Sequence, residues 1–281
     1  MKTIIKQLLK ALCYFLLFVG SQFVVTFALE FLYGIKVGLE ATASGEVLND
    51  QVLVERAMEF LTRYSNIILL VSGLLTLFIL WIFFLIRKKK LYKEACIAKF
   101  DKKKILPIIL MGMAFALFVV CILNLLPLPE SLLSSYEQST YSLTAGNVAV
   151  QLIAIVIVAP VVEEVIFRGL ILSRLKKAMS VPVAILLNSL VFGLVHGQLL
   201  WIAYAFCLGV VLCVVVEKTG SLATSILLHM AFNFAGTLEI DFITEIWQVV
   251  ILAIVSLGIL VGMSHLVLKK EKQVAVEEAV I

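Results

Sequence analysis

Histidine and aspartate are the scarcest of the chemically useful residues in this 281-residue chain. The histidines are His196, His229 and His265, and the aspartates are Asp50, Asp101 and Asp241. No aspartate lies within a long apolar run, which excludes a membrane-embedded aspartyl dyad. Cysteine is nearly as sparse: Cys13, Cys96, Cys121, Cys207 and Cys213 contain no CxxC pair, and packed or free thiols are expected rather than a disulfide framework. No GxSxG elbow accompanies His196 or His229, and neither Cys207 nor Cys213 has a histidine at local spacing. Charge is also scarce, at 15% of residues with a net charge of +4, against 62% apolar residues. A soluble domain of this length needs far more polar surface. The basic residues form blocks beside apolar runs, so they read as topology determinants and contacts to membrane lipids, with no nucleic-acid partner expected.

The apolar runs are continuous rather than alternating, so the expected fold is all-α: a polytopic integral membrane protein with about eight transmembrane helices. They place spans near 11–33, 66–86, 105–126, 148–168, 181–199, 201–216, 221–237 and 243–267. The first run is too long for a signal-peptide h-region, so it is read as a retained helix. Residues 34–64 read as an external loop with a short amphipathic helix near 52–61. Nine of the 23 basic residues fall between Arg87 and Lys104, marking a cytoplasmic loop by the positive-inside rule. Acidic linkers at Glu130 and Glu137, and at Glu239, Asp241 and Glu245, then lie outside, and both termini of a multi-pass cell-membrane protein lie in the cytoplasm. Three divisions follow: N-terminal spans and a basic loop at 1–145, a core at 146–268, and a cytoplasmic tail at 269–281.

The core opens on an apolar run that ends in Glu163-Glu164-Val165-Ile166-Phe167-Arg168-Gly169. Each charge at the centre of a spanning helix opposes insertion by roughly 2.5–3.5 kcal/mol. At i, i+4 spacing Glu164 and Arg168 share a face and partly neutralise each other, while Glu163 points about 100° away and needs another partner. Two later runs also carry polar stripes: Asn188, Phe192 and His196, then Ser225, His229 and Asn233. Stripes facing lipid are costly, so all three are expected to converge in one cavity in the cytoplasmic half of the membrane. His265, beside the basic tail, reads as interfacial. Glu163 with His196 suits activation of water, and His229 with Asn233 suits an oxyanion, with Glu164, Arg168 and Phe192 in support. Together these are parts for amide hydrolysis.

Three other readings compete. Glu163, His196 and His229 have the donor types of a three-ligand zinc site, although HExxH is absent and Arg168 adjoins the carboxylates, so the preferred reading requires no cofactor. Buried polar residues also serve as structural glue. A proton-coupled carrier would show inverted repeats and paired broken spans, which this chain lacks.

Three ordered motifs, Glu163-Glu164-Val165-Ile166-Phe167-Arg168, Phe192-Gly193-Leu194-Val195-His196 and His229-Met230-Ala231-Phe232-Asn233, resemble those of the CAAX protease and bacteriocin-processing (CPBP, Abi) family. That family includes the type II CAAX prenyl endopeptidases, and its pattern is EExxxR, FxxxH, then HxxxN or HxxxD on successive helices. Arg168-Gly169, Phe192-Gly193 and Thr219-Gly220-Ser221-Leu222 are similar to its flanking signals, and the resemblance covers roughly 146–235. It implies an all-helical intramembrane endopeptidase open toward the cytoplasm, with Glu163 and His196 activating water and His229 and Asn233 forming the oxyanion hole. It also implies a peptide or protein substrate, lipidated in the eukaryotic relatives, and roles in CAAX-type processing, peptide maturation or bacteriocin self-immunity. The rival is a non-catalytic immunity or scaffold protein that binds a peptide or partner in the same cavity.

Overall fold

The computed structural model describes residues 2–95, 97–98, 100–238 and 245–269. Among them all regular structure is helical. In chain order the helices are α1 (Lys2–Ser44), α2 (Asp50–Ile86), α3 (Leu91–Glu94), α4 (Ile105–Leu125), α5 (Glu130–Thr144), α6 (Val148–Leu175), α7 (Val181–Leu194), α8 (Leu199–Thr219), α9 (Leu222–Gly236) and α10 (Ile246–Leu268). A single 3-10 turn, Lys102–Lys104, leads into α4.

Six of these, α1, α2, α4 with its leading turn, α6, α8 and α10, are long and apolar enough to cross a membrane. The chain is a multi-pass membrane protein. The two remaining expected spans are the apolar helices α7 and α9, of 14 and 15 residues. At 1.5 Å per residue each is about 21–22 Å long, short of a hydrocarbon core of roughly 30 Å.

The loop expected over residues 34–64 is instead helical for most of its length. α1 runs on to Ser44, and α2 starts at Asp50 behind an Asn49 cap whose side chain accepts from the Val52 N–H at 2.9 Å. With 43 and 37 residues, α1 and α2 are about 65 and 56 Å long, well beyond the membrane core. Phe60 stacks on Tyr33 at 4.4 Å and holds the two extensions together. Apolar side-chain pairing across the hairpin therefore keeps helical a stretch whose acidic content reads as a loop. The tail expected at 269–281 lies, apart from Lys269, outside the described residues, as do Cys96, Glu239 and Asp241.

Two apolar cores hold the bundle. One joins α1, α2, α6, α7 and α8 around Phe18, Phe84, Ile166, Phe167 and Phe192. The second joins α4, α8, α9 and α10 around Ile108, Leu212, Leu228 and Phe232. The N-terminal spans thus share a core with the α6 segment that bears the two glutamates. Small residues set the closest crossings. Gly112 of α4 lies so near α9 that an added Cβ would press into the Leu228 carbonyl and stand 3.0 Å from the Ala231 Cβ. Likewise, a Cβ on Gly193 of α7 would meet the Ile202 carbonyl of α8 at 2.9 Å.

At the lysine-rich end, polar contacts join the helix ends. Glu94 of α3 pairs with Lys89 at 2.6 Å and with Arg174 of α6 at 3.1 Å. Lys176 meets Glu217 at 2.5 Å, and Ser221, which caps α9, donates to the Ala98 carbonyl at 2.5 Å. The hydrogen bond from Lys89, aided by Arg174, holds the Glu94 carboxyl below its ordinary value despite the opposing effect of burial.

Gly112→Ala should therefore force α4 and α9 apart and destabilise the protein by about 1–3 kcal/mol, read as a lower melting temperature in detergent. Glu94 gives a pH test. Its folded pKa is depressed, so its contribution is present above the unfolded carboxylate value and is lost as pH falls through the folded one. Glu94→Gln should lower the melting temperature at neutral pH, with the difference from wild type shrinking in the acid range.

Candidate active site

α6 carries the two adjacent glutamates and departs twice from α-helical winding. Leu152–Val158 and Glu164–Ile171 are π-helical, and the five α-helical residues Ala159–Glu163 lie between them. π-Helical turns are rare and cluster at functional sites. The Ala159 N–H bonds to the Ala154 carbonyl, five residues back, and the next residue is Pro160.

The centre of the site is fully buried. Glu164 has no exposed surface, and its Oε1 accepts from Arg168 Nη1 at 2.8 Å. The same oxygen meets His229 Nδ1 of α9 at 3.0 Å. Because the carboxylate is paired with Arg168, Nδ1 is assigned as the donor, which leaves Nε2 as the nitrogen that faces Glu163. It lies 3.8 Å from Glu163 Oε2. One imidazole thus spans both glutamates. Glu164 Oε2 and Arg168 Nε and Nη2 have no hydrogen-bond partner among the described residues. The guanidinium instead stacks over the Phe192 ring, 4.0 Å from its centroid, and a cation–π contact is strengthened where water is excluded.

Phe192 links the remaining parts. Its ring meets His196 edge-to-face at 4.9 Å, His229 at 5.8 Å and Phe167 at 5.2 Å. Asn188, one turn before Phe192, donates to the Phe167 carbonyl at 2.9 Å and accepts from Cys213 Sγ at 3.4 Å, so it braces α7 against α6 and α8. Ser225 is buried and bonds to its own helix at the Leu222 carbonyl, at 3.0 Å. Asn233 Nδ2 donates to the Ile155 carbonyl of α6 at 2.8 Å.

His196 is the residue whose setting differs most from expectation. It does not lie within an apolar helix. α7 ends at Leu194, and His196 occupies the following turn, before Gly197 at φ +73°. Its Nδ1 nevertheless meets the Phe192 carbonyl at 2.8 Å, which keeps the ring on the expected face. No hydrogen bond or ion pair joins it to Glu163 among the described residues. The motif spacing pairs Glu163 with His196, whereas in the structure Glu163 lies beside His229.

The N-terminal helices also reach the site, although their sequence reads as generic spans. A cavity of about 10 Å³, the size of one water, lies against Glu163. Phe18 and Gln22 of α1 and Ser72, Gly73 and Thr76 of α2 also line it. Gln22, a carboxamide in the middle of an apolar run, was the available signal. Among the described residues no group of three His, Cys, Asp or Glu side chains is arranged to hold a metal ion, Glu163, His196 and His229 included.

Arg168→Ala would strand the buried Glu164 carboxylate. A loss of roughly 3–5 kcal/mol is expected, visible as reduced abundance and a lower melting temperature. Arg168→Lys should recover part of this by restoring the charge, without the stacking on Phe192.

The cluster of α6, α7 and α9 lies within the segment that matches a known family. A relative from Escherichia coli, described as an uncharacterized 24.3 kDa protein, is 34% identical over 97 residues. The alignment takes in 33% of this chain and 45% of that protein, so it spans less than half of the relative's length. No solved structure matches the chain. Residues 145–235, which run from the start of α6 almost to the end of α9, match the family model of the Rce1-like type II CAAX prenyl endopeptidases, the family that the three motifs resemble.

Proposed function

We propose that this protein is an intramembrane endopeptidase that hydrolyses a peptide bond near the cytoplasmic face of the cell membrane, with both of its termini in the cytoplasm. The observation that carries the reading is His229, held through Nδ1 by the buried Glu164 and turned through Nε2 toward Glu163. A structural polar contact needs one carboxylate. A second one, with a water-sized cavity against it, supplies a base and a place for its water.

In this mechanism Glu163 takes a proton from water as the oxygen attacks the scissile carbonyl, and the carbonyl becomes a tetrahedral oxyanion. With both ring nitrogens protonated, His229 donates through Nδ1 to Glu164 and through Nε2 to the oxyanion, and Asn233 supplies a second donor. When the C–N bond breaks, Glu163 returns its proton to the leaving amine. In this reading His196, held by the Phe192 carbonyl, helps to orient the water. The Glu164–Arg168 pair holds His229 in place and keeps the charge of Glu164 from drawing the water away from Glu163.

The substrate in this reading is a peptide or protein that reaches the site from the membrane. The matched family's description points to a prenylated carboxyl terminus of the CAAX type. No step is routed through a metal, in keeping with the arrangement of Glu163, His196 and His229.

The test is cleavage of a prenylated CAAX-terminated peptide by the purified full chain, with and without chelator. Glu163→Gln, which keeps the side-chain volume but removes the base, should lower kcat by about 10²–10⁴-fold. Wild-type cleavage should survive the chelator. Loss with chelator and recovery with zinc would replace this mechanism with a metal-dependent one. Full activity of Glu163→Gln would overturn the assignment of the base, and immunity to a bacteriocin that survived this change in cells would favour a binding role for the cavity.

A further inference from the structure

We propose that Pro160 is a positioning residue for Asn233, acting through the carbonyl of Ile155. The catalytic half of this inference rests on the endopeptidase reading above; the structural half does not. The first π-helical stretch of α6 is wound on hydrogen bonds that reach five residues back, and the one from the Ala159 N–H to the Ala154 carbonyl closes it. The next donor in the series would be residue 160 and its acceptor Ile155. Residue 160 is proline, which has no N–H. The carbonyl left over is the one that Asn233 Nδ2 occupies at 2.8 Å.

This coincidence has a consequence for α9. A carboxamide has two N–H groups, and the Ile155 carbonyl takes one of them, which fixes the amide plane and leaves the other for a further acceptor. One turn earlier on the same helix, His229 is fixed by Glu164 in the same manner, with one nitrogen held and one left. The two donors assigned to the oxyanion are thus each anchored to α6, on either side of Pro160. An ordinary residue at 160 would carry an N–H that completes the backbone ladder and competes for Ile155. Asn233 would then be free to rotate, and an oriented donor would become a mobile one. Pro160 is itself buried. Its effect passes through Asn233.

The experiment is a double-mutant cycle on the full chain with Pro160→Ala, Asn233→Ala and the double variant, read by melting temperature and by kinetics on the prenylated peptide. Asn233→Ala should lower the melting temperature when residue 160 is proline, because the Ile155 carbonyl loses its donor. The loss should shrink by at least half when residue 160 is alanine, whose N–H replaces that donor. Pro160→Ala should lower kcat about tenfold with KM nearly unchanged, and should cause no further loss in the Asn233→Ala background. Equal melting losses in both backgrounds would overturn the link between Pro160 and Asn233. Wild-type kcat in Pro160→Ala, with coupled melting temperatures, would overturn the positioning role. A wild type that cleaves nothing would count against the protease reading alone, since the melting cycle still decides the structural link. If Pro160→Ala does not fold, Asn233→Asp replaces it. An ionised aspartate sets an acceptor against an acceptor, and an unchanged melting temperature would overturn the hydrogen bond to Ile155.

Discussion

A carboxylate with no exposed surface inside an apolar helix needs its charge balanced in place, and the site is built on how Glu164 meets that need. Arg168, one turn along, supplies the balancing charge at 2.8 Å. The pair alone does not satisfy its polar atoms, and breaking such a pair is far more costly than its net contribution to stability. The remaining demand recruits the neighbours. His229 gives a second donor to Glu164 Oε1, and Phe192 offers a ring face to the guanidinium. Since Phe192 also touches both histidines, one buried charge fixes residues from three helices. A site within hydrocarbon benefits doubly from this arrangement. Around the buried Glu164 bulk water is excluded, so each electrostatic contact is strong, and the proposed donors are oriented in advance of substrate.

The winding of α6 is the second organising feature. Regular α-helix around the two glutamates would leave the backbone self-satisfied. The π-helical stretches and Pro160 instead release a carbonyl, and that carbonyl binds a side chain from a neighbouring helix. Departures from ideal helix geometry within a membrane persist where another donor restores the lost hydrogen bond. Here the replacement donor is one of the motif residues, so the local irregularity and the proposed chemistry share atoms. Short α7 and α9 fit the same scheme. Both are braced against α6 by carboxamides, Asn188 to Phe167 and Asn233 to Ile155, so their placement relies on polar anchors as well as on apolar packing.

The sequence by itself determined the class of the molecule and drew attention to the motif residues. Long continuous apolar runs require helices in a membrane, and the helical repeat puts Glu164 and Arg168 on one face whatever surrounds them. Those are local facts, set by hydropathy and by 3.6 residues per turn. The scarcity of histidine likewise made His196 and His229 conspicuous against their apolar surroundings.

Only the tertiary structure decided who meets whom. Spacing says that Glu163 faces away from Glu164, but not that one imidazole from α9 lies between the two. Gln22, Ser72 and Thr76 reach Glu163 because α1 and α2 pack on α6, and no local pattern in those helices specifies that partner. The end of α7 before His196 depends on the positive φ of Gly197, and the helical state of residues 34–64 depends on pairing across the hairpin. Local periodicity governs single helices. Contacts between residues far apart in sequence are selected by packing and by the need of each buried polar group for a partner, and those choices are made only when the helices assemble.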